Sequence, residues 1–213
     1  MEAVNKKKRV FWHEFGHFSA AYYSKKHYGK FGTASINIIR CDDYFGEIEF
    51  HGNHTPIAPN NYKDTDPIKH PASLIAELVY GCYLQCLFLN KALDSCLNER
   101  GRNVFGYDDY EKCWGVARKF GLTQNERQVL HTLIDEHFRS IKENGDFATL
   151  FDIDINDLIE EDLETTPIDP QELEDRFQSI LVNHESKYRS FVQRSEKLFE
   201  GKQQVINPFQ RGV

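Results

Sequence analysis

Aromatic residues recur at three- and four-residue steps through Phe11, Phe15, Phe18 and Tyr22, which is the period of one helix face. This spacing predicts a helix over residues 5–28 with Asn5 as its cap. Beyond it the period drops to two. "TASINII" (33–39) and "EIEFHG" (47–52) alternate on either side of the turn residues in "RCDDYFG", so a β-hairpin is expected. Prolines and asparagines mark 53–71 as a loop. Ser73 to about Asn98 is apolar nearly all round in its first half, as in a core helix, and "GRN" breaks it. Two further helices are expected over 107–121, closed by Gly121, and 123–144, opened by Thr123 and Glu126 as a capping box. Residues 145–168 are acidic and lack a helical period, as in a linker or a loosely packed segment. Asp169, Pro170 and Glu172 then supply N-cap, N1 and N3 signals for a last helix reaching about Glu200. Its stripe of Phe177, Ile180, Leu181, Tyr188, Phe191 and Leu198 needs a surface to cover it. The expected class is mainly α with a small β-hairpin, divided into residues 1–144, 145–168 and 169–213.

Composition narrows the function more than the fold. The chain has 213 residues, 40% of them hydrophobic, so a sizeable core can form. A net charge of −7 argues against a nucleic-acid partner, which requires clustered Lys and Arg. The one basic run, Lys6-Lys7-Lys8-Arg9, is short and reads as a solvated helix start. Five cysteines without a CxxC pair point to reduced thiols and a cytoplasmic setting, with Cys82 and Cys86 as core residues. The polar, basic start predicts no secretory signal. "LIAELVYGCYLQCLFL" (74–89) is short and carries a Glu and a Gln, so no stable membrane span is expected.

The chemistry concentrates in "RVFWHEFGHFSAAYY" (9–23). Residues four apart on a helix point the same way, so His13 and His17 can hold one Zn²⁺. Glu14, beside the first, would deprotonate a water at the metal. Such a motif arises by chance in roughly one of thirty chains of this composition, so a third ligand is required. The histidine that a metzincin would add is absent, because the third and sixth positions after His17 are Ala20 and Tyr23. His51, His54 and His70 lie on loop-like sequence. Glu77 in the apolar helix and the Asp108-Asp109 pair remain as acidic candidates.

The order of features resembles the peptidase domain of the FtsH-type ATP-dependent zinc metallopeptidases over roughly residues 5 to 140. Those domains open with HEAGH on a helix, similar to His13-Glu14-Phe15-Gly16-His17 here. A strand and turn follow, as in "ASINIIRCDDYFGEIEF", and then a helix with a Gly-Gly-Arg-Ala-Ala-Glu core. "YGCYLQCLF" keeps its second glycine as Gly81 and places Gln85 at the acid. "DYEKCWGVAR" reproduces the family's Asp followed nine residues on by Arg, with Asp109, Ala117 and Arg118. The resemblance implies Asp109 as third zinc ligand, a Zn²⁺ cofactor and an FtsH-peptidase-like helical zinc domain with a C-terminal helical extension. The departures are informative too. The chain carries no Walker A sequence, so no ATP-driven motor is expected. Phe15 and Phe18 replace small residues, and Gln85 removes a carboxylate that could orient a ligand.

The leading expectation is a stand-alone zinc metalloendopeptidase, with His13, His17 and Asp109 as ligands and Glu14 as general base. It would act on a peptide or an unfolded protein segment laid along the hairpin edge. The alternative is a zinc-stabilised interaction module that has lost turnover, with a second copy or a partner protein docking on the C-terminal helix.

Overall fold

In the computed structural model, residues 2–29, 33–40, 44–51, 68–93, 96, 106–145, 147, 149–159 and 165–205 are described. Among the described residues six α-helices and three strands follow one another as α1 (Glu2–Tyr28), β1 (Thr33–Arg40), β2 (Tyr44–His51), α2 (Pro71–Phe88), α3 (Tyr107–Lys119), α4 (Gln124–Asn144), α5 (Asn156–Ile159), β3 (Thr165–Ile168) and α6 (Pro170–Glu196), with a short 3-10 turn at Leu150–Asp152. The protein is mainly helical with a small antiparallel sheet, as its periodicities predict.

The helix ends follow local chemistry, and two depart from expectation. The first helix begins at Glu2, which leaves Asn5 inside it rather than at its cap. The apolar helix stops at Phe88, ten residues before the expected Asn98. Asn90 takes a left-handed φ of 50° there. Its N–H donates to the Leu87 carbonyl and that of Lys91 to the Cys86 carbonyl, closing the helix as a Schellman motif. Gly121 (φ 65°) ends α3 in the same way. Thr123 and Glu126 form the expected reciprocal capping box, and Asp169 accepts from the N–H groups of Gln171 and Glu172 at the start of α6.

The hairpin forms with Gly46 opposite Ile38, and a third strand extends it in the order β2-β1-β3. That strand, Thr165–Ile168, comes from the segment expected to be a linker and pairs Ile168 with Ile36. The same segment also buries Phe147, Leu150, Ile155, Leu158 and Ile159 in the core, so where described it is packed rather than loose. Its apolar residues come singly or in adjacent pairs among acids, with no helical period to mark them. Residues 160–164 lie outside the described set.

One cluster of buried side chains runs from Phe15 on α1 through Tyr80 on α2 and Leu150 to Phe177 on α6. The stripe on α6 is therefore covered by the chain's own α1, α2 and α4, which accounts for it without a second molecule. Phe177 is fully buried with its ring 4.3 Å from that of Phe15 and 5.9 Å from Trp12. Phe177→Ala is expected to cost about 3–5 kcal/mol, read as a lower denaturation midpoint with an unchanged slope. Among the described residues α2 alone is long and apolar enough to cross a membrane, and 83% of that window is buried inside the protein. Lys7, expected in a solvated run, is buried and donates to the Ile159 carbonyl at 3.2 Å.

The two helices that matter most for chemistry, α1 and α2, pack along each other. They come close at Gly16, where a Cβ would lie 2.4 Å from the Tyr80 carbonyl oxygen. This approach brings the next residue, His17, against the backbone of α2.

Candidate metal centre

Three donor atoms from two helices converge. His13 Nε2 lies 3.0 Å from Asp109 Oδ2, His17 Nε2 lies 3.3 Å from the same oxygen, and the two Nε2 atoms are 3.0 Å apart. Ligands about 2.0–2.1 Å from a tetrahedral zinc are roughly 3.3 Å from one another, so this triangle matches one face of such a tetrahedron. Glu14 joins the group with His13 and His17, all three offering ligand atoms within 4.8 Å of one another. Yet its Oε1 is 4.0 Å from His13 Nε2, farther than the Asp109 oxygen. The Asp109 oxygen thus closes a triangle with the two imidazole nitrogens, and the Glu14 oxygen stands farther from His13.

The far side of each imidazole is fixed. His13 Nδ1 faces Gln85 Oε1 at 2.9 Å, and His17 Nδ1 faces the backbone carbonyl of Glu77 at 2.6 Å. Both partners are acceptors, so each Nδ1 carries a proton and each Nε2 is turned to the centre. Histidine ligands in metal sites are oriented in this way. Gln85 therefore keeps the orienting role that its missing charge puts in question. Glu77 serves through its backbone, while its carboxylate accepts a hydrogen bond from Ser24 at 2.7 Å.

The electrostatics couple Asp109 to the imidazoles. Burial opposes the charging of His17, but the Asp109 carboxylate, with help from Glu14 and the Glu77 carbonyl, overrides it and pushes the imidazole up to about 9. Burial likewise works against the Asp109 charge, and the two histidines more than compensate, holding its carboxyl well below the usual range. A carboxylate and a positive charge are thus mutually required in a space where the side chains are only 14–15% exposed. The Cys82 thiol also donates to Asp109 Oδ2, at 3.8 Å, and burial together with that carboxylate keeps it protonated.

Missing side chains make the room. A Cβ on Gly81 would fall 2.3 Å from His17 Nε2, one on Gly46 2.3 Å from Glu14 Cγ, and one on Gly106 2.6 Å from Asp109 Oδ2. Gly106 also caps α3 with a φ of 128°, which other residues rarely adopt. Sequence reasoning found Gly81 but neither Gly46 nor Gly106, because a glycine in a hairpin or before a helix has the same local signature whether or not a ligand lies over it. Gly81→Ala is expected to leave α2 formed, since Ala is the better helix residue, while pushing His17 off its position. Zinc affinity measured by chelator competition should fall nearly as far as on removing His17 itself.

His70 flanks α2 with its ring 5.0 Å from Tyr28. His54 and the side chains of His51 and Asp108 are outside the described residues. The described cysteines, Cys82, Cys86, Cys96 and Cys113, are all buried free thiols. Compared with known proteins, the chain matches no family model, no curated protein and no solved structure.

Proposed function

We propose that this chain is a zinc metalloendopeptidase of the kind its resemblance to FtsH-type peptidase domains implies, with no Walker A sequence among its 213 residues. The observation that carries the reading is the convergence of His13 Nε2, His17 Nε2 and Asp109 Oδ2 at 3.0–3.3 Å, with Glu14 at 4.0 Å. Two neutral imidazoles and one carboxylate suit Zn²⁺, and three protein ligands leave a fourth position open. When bound there, zinc would acidify a water and polarise the scissile carbonyl. Glu14, held off the ligand positions, would take the water's proton at Oε1 and pass it to the leaving amine. Gln85 and the Glu77 carbonyl would hold the imidazoles through the cycle.

The geometry also supports an extended substrate. Among the described strands β2 has a neighbour on one side only, and its Gly46 lies directly against Glu14. A peptide added along that edge would pass the general base with its backbone in register. Such a substrate must already be unfolded or flexible.

Burial of Glu14, only 6% exposed, is the observation favouring the alternative of a zinc-stabilised interaction module without turnover. Incubation of the zinc-loaded protein with an unstructured polypeptide separates the two. The peptidase reading expects cleavage that a chelator stops and zinc restores; uncut substrate across unfolded proteins and peptide libraries would leave the interaction module.

A further inference from the structure

Four buried polar side chains, beginning with Ser24 two helical turns beyond His17, belong to no step described above. Ser24 Oγ is 2.7 Å from Glu77 Oε1, 2.7 Å from Ser73 Oγ and 2.7 Å from the Tyr188 hydroxyl. Ser73 Oγ is in turn 3.4 Å from Glu77 Oε1 and 3.3 Å from Tyr188. Ser24, Ser73 and Tyr188 are fully buried and Glu77 is 7% exposed. Ser24 belongs to α1, Ser73 and Glu77 to α2, and Tyr188 to α6. We infer that this Ser24–Ser73–Glu77–Tyr188 network is a positioning device for the metal ligand His17, and that α6 is thereby a working part of the centre. The inference rests on the zinc reading above.

The carbonyl that receives His17 Nδ1–H belongs to Glu77 itself, so whatever fixes Glu77 fixes the ligand's tautomer and its tilt. On α1, Ser24 follows His17 by seven residues, two turns along the same face. The contact of Gly16 with the Tyr80–Gly81 backbone sets the α1–α2 distance on one side of His17, and the Ser24–Glu77 bond sets it on the other. Tyr188 closes the set from α6: its hydroxyl can donate to Ser24, leaving the Ser24 proton for the Glu77 carboxylate. A buried carboxylate with a full set of donors holds one rotamer, whereas one that loses a donor relaxes towards another.

Ordinary core packing gives a different expectation, and Tyr23 provides the control. Its hydroxyl donates to the Leu181 carbonyl at 2.9 Å, also joining α1 to α6 from a fully buried position, but it makes no bond to the network. Tyr188→Phe and Tyr23→Phe should therefore lower thermal stability comparably. Only Tyr188→Phe should weaken zinc, by about tenfold, at the lower end of the effect of outer-shell partners. It should also shift the visible spectrum of the cobalt-substituted protein, which reports ligand geometry and not global stability. Glu77→Gln retains an acceptor oxygen for Ser24 and should keep near-native affinity, whereas Glu77→Ala should lose at least as much as Tyr188→Phe. The inference falls if Tyr188→Phe binds zinc with wild-type affinity and spectrum, or if Tyr23→Phe changes both equally. A wild-type protein that binds neither zinc nor cobalt would instead bring down the metal reading together with the inference.

Discussion

Glu14→Gln is expected to retain its zinc and its fold and to lose hydrolysis of an unstructured polypeptide by about 10²–10⁴-fold, the usual contribution of a general base. Glu14 Oε1 stands 4.0 Å from His13 Nε2 while Asp109 Oδ2 stands at 3.0 Å, so the change leaves the ligand set untouched. The amide has nearly the volume of the carboxylate and fills the same space beside Gly46. What it lacks is a basic oxygen able to take a proton. Rates of wild type and variant, compared at equal zinc content, check the expectation. Equal rates would assign the cleavage to another protein in the preparation.

The second large effect is at Asp109. Asp109→Asn is expected to weaken zinc by more than about 100-fold, because loss of an outer-shell partner alone costs up to that much. Asp109 Oδ2 faces both imidazoles and is held ionised by them, and a neutral amide oxygen offers that pocket no charge. Neighbouring residues on a helix diverge by about 100°, so only one of the Asp108-Asp109 pair can face the imidazoles, and Asp108→Asn is expected to bind zinc as the wild type does. Competition with a chelator of known affinity ranks the three proteins. The reverse order would overturn the ligand assignment and the family resemblance from which it came.

The parts of this protein legible in its sequence are those governed by short-range rules. The His13/His17 spacing, the Thr123–Glu126 capping box and the Asp169–Pro170 helix start each depend on residues within one turn, and each is found where expected. The end of α2 was obscured by a competing signal. Asn90 can take the left-handed conformation, but it is followed by further helix-forming residues that mask the stop. β3 was invisible for another reason: its four residues contain Pro167 and no alternation, and a strand so short exists only because β1 has a free edge to give it. The supporting shell of the site is the least legible part. Gln85 is 72 positions from the histidine it orients, and Tyr188 is 164 from its Ser24 partner. No local pattern encodes such distances. The C-terminal stripe was readable as apolar, but its partner could be named only once α6 was found against α1 and α2.

The central claim is tested most directly by the zinc content of the protein purified without added metal, wild type beside His17→Ala. One equivalent per chain in the wild type and essentially none in the variant is the predicted result, with the variant also less stable because ligand binding contributes to folding. A wild type that remains metal-free in the presence of zinc, or a His17→Ala protein that keeps its full equivalent, would contradict the site and everything built on it.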